Sequence, residues 1–151
     1  MIVAMATDVV CTAEINAPVE KVFAYVDDFS HAQEWIYGLD RIEAVGEPTH
    51  GVGATFDGTM KVGMSFHSTI RCTGWEQDAC LELESVKGLK NTQRWTFEDL
   101  GDGRTKVTAQ ISYTLPGGPV GLTMAKAIKP FVGIAIRSTS ESLAKQVEAL
   151  P

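Results

Sequence analysis

Apolar and polar residues alternate along most of this chain, and a spacing of three and four replaces the alternation only near the beginning and at the end. Residues 8–16 are rich in β-branched types and read as a strand ending before Pro18. Proline suits a first helical position because its missing N–H would be unpaired there anyway. Val19, Val22, Phe23 and Val26 then form one apolar face, with Glu20 and Lys21 off it, which predicts a helix over 18–26. A second short helix is predicted from Ser30, as N-cap, to Trp35.

From Arg41 the period is two, with strands predicted over 41–47, 54–63, 64–75, 80–86, 92–99 and 104–115 and turn residues between them. Asp102-Gly103 between the last two is a hairpin signal. In the last strand Val107, Ala109, Ile111, Tyr113 and Leu115 share a face opposite Lys106, Thr108, Gln110, Ser112 and Thr114. The pattern predicts an antiparallel sheet of about seven strands with one apolar side. After 116–119 ("PGGP") the period turns helical. Ala125, Ile128, Val132, Ile136, Thr139, Leu143, Val147 and Leu150 make a stripe long enough to cross a sheet face. Leu122, Met124, Phe131 and Ile134 widen it, and Pro130, which cannot donate to the Lys126 carbonyl, predicts a kink or a break.

This order, one strand, two short helices, six strands and one long helix, resembles a known family. The opening "INAPVEKVFAYVDDFSHAQEW", the "GVGATF" before the third strand, "CTGWEQDACLEL", "DGRTKVT" and the long terminal helix are similar to the START-like SRPBCC superfamily, in its polyketide cyclase/dehydrase and lipid-transport group. The resemblance covers nearly the whole chain. It implies a single α+β domain over 1–151 of helix-grip type, in which a curled sheet wraps the long helix and leaves a hydrophobic cavity. The two short helices would then fill one end of the curl.

Charge and cysteine content narrow the partners. Thirteen basic against nineteen acidic residues give a net charge of −6, with the basic residues scattered, so a nucleic-acid partner is not expected. Cys11, Cys72 and Cys80 show no CxxC or Cys/His spacing and read as reduced thiols of a cytoplasmic protein. The segment "MIVAMATDVV" lacks a basic leader, and no uninterrupted apolar run approaches the roughly 20 residues that span a bilayer. Neither secretion nor an integral membrane segment is expected.

If the apolar sheet face looks at the long helix, Phe56, Met60, Phe66, Ile70, Trp95, Phe97 and Tyr113 point inward, facing Met124, Ile128, Phe131, Val132 and Ile136. Each is either plain core or cavity wall. Their shared methionine and aromatic character favours a wall. Ser68, Gln93, the Tyr113 hydroxyl and Cys72 are the polar groups on that face, and Gly58 marks a bulge or leaves room for a ligand. His31, His50 and His67 have no metal-ligand spacing and read as solvated, though a bulge at Gly63 or Gly74 would turn His67, Thr69 and Arg71 inward as acid/base candidates. Asp27, Asp28 and Glu34 read as helix-end charges. No catalytic constellation, metal or cofactor is indicated.

The leading expectation is binding of a hydrophobic small molecule such as a polyketide, lipid or isoprenoid. The resemblance also allows a cyclase, aromatase or dehydratase using Tyr113, alone or in concert with Arg94 or His67, on a carbonyl substrate in the same cavity.

Overall fold

The computed structural model describes residues 5–151, so part of the opening segment read above as no leader lies outside the described residues. Seven strands, β1 (Met5–Ile15), β2 (Leu39–Ala44), β3 (Thr55–Lys61), β4 (Ser65–Glu76), β5 (Cys80–Gly88), β6 (Lys90–Gly101) and β7 (Arg104–Leu115), form one antiparallel sheet. Its order is β1-β7-β6-β5-β4-β3-β2. Strands β2 to β7 follow one another as hairpins, and Asp102 and Gly103, both at positive φ, make the two-residue turn before β7. Since β1 and β2 lie on opposite edges, the segment between them must cross the sheet. That crossing is made by helix α1 (Val19–Asp27) and a 3-10 helix (Phe29–Glu34).

Both helix starts differ by a residue or two from the sequence expectation. Pro18 is the N-cap of α1 in place of its first residue, and its carbonyl accepts from Lys21 and Val22 N–H at 3.0 and 3.1 Å. Asp28, not Ser30, caps the 3-10 helix, because its carboxylate accepts both the N–H (3.0 Å) and the hydroxyl (2.6 Å) of Ser30. The same two bonds hold the Asp28 carboxyl below its ordinary pKa, the Ser30 hydroxyl contributing most.

Helix α2 (Gly118–Glu148) lies against the sheet and runs through Pro130 without a break, correcting one of the two outcomes expected there. Proline removes one bond to the Lys126 carbonyl, and Ile128 and Val132 on either side stay anchored in an apolar cluster. The described residues form two such clusters. In the larger, Leu143 and Val147 of α2 pack with Ile15, Val22, Phe23, Leu81 and Phe97. In the smaller, Ile128 joins Phe66 and Leu115, with Met60, Val62, Leu89, Tyr113, Met124 and Val132 around them.

By length and composition α2 is also long and apolar enough to cross a membrane, with mean hydropathy 1.3 over an 18-residue window of which 11% is buried. Lys126 and Lys129 interrupt its apolar run, so it contains no unbroken apolar stretch of that length. Its C-terminal half is nonetheless built into the core: Leu143 is 2% and Val147 0% exposed.

Candidate functional site

Between the two clusters the sheet and α2 diverge and leave a half-open cavity of about 310 Å³. Met60, Phe66, Ser68, Ile70, Trp95, Tyr113, Ile128, Val132 and Ile136 line it, as do Gly58 and Gln93. Gly58 marks no bulge: its pairing with Ile42 and Ser68 is regular, and a Cβ there would meet only ordinary contacts at 3.6 Å and beyond. It therefore widens the cavity.

Four of the expected wall residues stand elsewhere. Phe56 packs on Phe29 (ring centroids 4.5 Å apart) and Phe97 on Phe23 (5.1 Å). Both face inward but lie at the end plugged by the crossing helices, and period two gives a face, not a position along the strand. Met124 packs on the smaller cluster without reaching the wall. Phe131 sits over the β3–β4 turn, where Gly63 at φ +77° comes so close that a Cβ would stand 3.1 Å from its ring and 2.0 Å from the Ala127 carbonyl oxygen. Cys72 is buried away from the cavity, where its thiol donates to the Gly74 carbonyl (3.3 Å) and burial pushes its pKa up.

The polar wall is a chain of hydrogen bonds on β6 and β4. Trp95 Nε1 donates to Gln93 Oε1 (3.1 Å), Gln93 Nε2 to Asn91 Oδ1 (3.2 Å), and Asn91 Nδ2 to Ser68 Oγ (3.1 Å) and the Leu89 carbonyl (2.9 Å). Ser68 Oγ also donates to the Leu89 carbonyl at 3.2 Å. The run spends both amide protons of Asn91, but among the described residues leaves Gln93, which lines the cavity, one N–H and one acceptor position unspent. Asn91 falls outside the strand expected over 92–99, because β6 begins two residues earlier, at Lys90; the alternation continued back from Trp95 and Gln93 includes it. Trp35, Tyr37, Cys11 and Thr139 also line the wall without having been expected there. Tyr37 N–H donates to Thr139 Oγ1 (3.1 Å), tying the crossing segment to α2, and the Cys11 thiol lies 2.9 Å from Ser140 Oγ.

Trp35 stands edge-on to Trp95 (5.5 Å, 90°), and its buried indole N–H has no partner among the described residues. A buried donor left unpaired costs about 1–3 kcal/mol. The Tyr113 hydroxyl likewise makes no hydrogen bond among the described residues. Among the described residues, no Asp, Glu, Lys, Arg or His lines the cavity.

The ionisable candidates lie outside it. Phe66, Ser68 and Ile70 hold the inward register of β4, and the irregularities against β5 fall only after Thr69, so His67 stays outward and half exposed beside Asp57 (3.9 Å). Arg94 is outward too, 3.8 Å from Glu82. Asp27 is more than an end charge: nearly buried, it accepts from Trp75 Nε1 (3.0 Å) and pairs with His50. Glu34 accepts from the buried Tyr25 hydroxyl (2.9 Å), and His31 stacks on the Tyr25 ring (4.7 Å). These groups hold the plug in place.

Comparison with known proteins places this geometry. No curated protein matches the sequence. Among solved structures, a protein of Thermus thermophilus superposes with a TM-score of 0.79 at 18% identity, covering 95% of this chain and 98% of that one. The Zhui aromatase/cyclase of Streptomyces gives 0.75 at 15% identity (95% and 94%), and a START superfamily protein of Mycobacterium smegmatis 0.74 at 18% (95% and 99%). The family model for polyketide cyclase / dehydrase and lipid transport matches residues 6–148. A curled seven-stranded sheet gripping a long C-terminal helix is the fold of that START-like group, and the chain belongs to the polyketide cyclase/dehydrase and lipid transport family.

Proposed function

We propose that this protein binds, and hands on, an uncharged hydrophobic small molecule carrying an oxygen acceptor, such as a polyketide, an isoprenoid or a single-chain lipid. The observation that carries the reading is the cavity wall, apolar and, among the described residues, free of charged side chains, with a hydrogen-bonded run in which one Gln93 N–H is unspent. A charged ligand would lose its hydration there with nothing to offset the loss. A neutral one gains roughly 25 cal/mol for each Å² of apolar surface buried, and a carbonyl or hydroxyl oriented by Gln93. The volume of about 310 Å³ stands at the small end of the roughly 300–1,000 Å³ of ligand pockets, which suits a fused-ring or single-chain molecule better than a two-chain lipid. Native mass spectrometry after incubation with a polyketide and lipid extract tests it. We expect an adduct in the wild type that is lost in a folded Ile128→Trp variant; no adduct in either rejects it.

A second reading is a cyclase or dehydratase. Its support is the unpartnered Tyr113 hydroxyl in the wall, together with a structural neighbour described as an aromatase/cyclase. Tyr113 would donate to a substrate carbonyl and so favour enolisation, while the walls bring the reacting carbons together. Tyr113→Phe should then abolish turnover of a substrate found by the binding screen while leaving its binding within a few fold. Unchanged turnover would reject the role of Tyr113.

A further inference from the structure

The two ends of the sheet differ in charge. Pairing of Lys61 with Ser65, Lys90 with Thr114 and Leu39 with Met60 puts the β3–β4 and β5–β6 turns and the start of α2 at one end. That end carries Lys61, Lys87, Lys90, Lys126 and Lys129; of its acidic residues, Asp40 is paired with Lys61 at 3.5 Å, and Asp57, level with Lys87 through Thr69, stands 3.9 Å from His67. Glu76, Asp78, Asp99 and Asp102 sit in the turns of the opposite end. Helix α2 adds Arg137 to Lys126 and Lys129 and has no acidic residue before Glu141, in a chain of net charge −6.

Apolar side chains are exposed among these cations. Val120 (62%), Leu122 (64%) and Ile134 (46%) stand out from α2, and Met64 (38%) and Val86 (49%) from the two turns. On α2 the spacing Leu122, Lys126, Lys129, Gly133 and Arg137 makes one outward stripe, and all five are exposed. An exposed apolar face bordered by long cationic side chains is the pattern of a helix lying in a bilayer interface, with its lysines reaching up to the headgroups.

We propose that this end docks on an anionic lipid surface, with the first half of α2 in the interface plane and its second half held in the core. The smaller apolar cluster, which forms the cavity wall at this end through Met60, Phe66, Tyr113, Ile128 and Val132, then lies directly behind the docked face. Docking rests on surface charge and exposure alone, so it stands or falls independently of what the cavity holds.

The test is co-sedimentation of the full chain with vesicles of phosphatidylcholine alone and of phosphatidylcholine and phosphatidylserine in a two-to-one mixture. Binding to the mixed vesicles only, weakening as salt is raised, is the expected result. Lys126→Glu with Lys129→Glu should lower the partition coefficient at least about thirtyfold, at roughly a factor of five for each cation removed and more for each reversal. Leu122→Ser should lower it about tenfold. All three positions are exposed, and circular dichroism checks that the variants stay folded. Equal binding to both vesicle types, binding to neither, or mixed-vesicle binding unchanged by the charge reversals overturns the proposal; capture of an acidic protein without vesicle binding also counts against it.

Discussion

The two halves of α2 invert the usual relation of composition to burial: the first, up to Ala135, is the richer in apolar residues and the less buried. From Ile136 onward the helix is fastened: Leu143 and Val147 are buried, Lys21 Nζ donates to the Leu150 carbonyl (3.1 Å), and Asn16 N–H donates to Glu148 Oε2 (2.9 Å). Before Ile136 only Gly121 and Ile128 are buried, and the residues turned toward the sheet face open space. An amphipathic stripe therefore says that a helix covers something. Whether that is packed core or a void depends on the curvature of the sheet beneath it, which the stripe does not encode.

The largest way to sharpen this contrast is truncation. Leu143→Ala should cost about 2–5 kcal/mol by chemical denaturation, and Leu122→Ala no more than about 0.5 kcal/mol. Similar costs at the two positions would refute the division of the helix. Next is hydrogen exchange: amides over 120–133 should exchange faster than those over 138–148, and should become protected when cargo binds, if Pro130 and its neighbours form a mobile cover. Exchange unchanged by cargo would mean that this half is a fixed wall.

The smallest expected effect lies in the plug. Burial, followed by the hydrogen bond to Glu34 and its charge, holds the Tyr25 phenol well above its ordinary value of 10.0. The folded state then keeps a proton that the unfolded state loses near 10. This contribution is complete below that pH and is lost as pH rises past it. Denaturation midpoints from about pH 9 to about pH 11 should fall less steeply for Tyr25→Phe than for the wild type; identical slopes would show that Tyr25 is not so held.

The strands and α2 were legible because their periods are long and clean, as in β7, where Val107, Ala109 and Ile111 alternate without a fault. The crossing helices were legible in place, but Asp28 took the capping role read for Ser30, since either residue type can cap. At the site, period two found the inward face. It could not tell the plugged end, where Phe56 and Phe97 are core, from the open middle, where Trp95 and Tyr113 face space. The hydrogen-bonded run from Trp95 to Ser68 crosses two strands that are not sheet neighbours, so no single segment of sequence displays it.

The central claim is that the space above β3 is meant to be filled by cargo, and Gly58→Leu tests it most directly through stability and binding read on the same sample. Gly58 has no positive φ and no close neighbour, so a side chain there meets no backbone obstacle and enters the cavity. The account predicts unchanged or higher stability of the empty protein together with loss of the adduct seen in native mass spectrometry of the wild type. A loss of about 1–3 kcal/mol, the mark of overpacking, or an adduct retained at wild-type level, would contradict it.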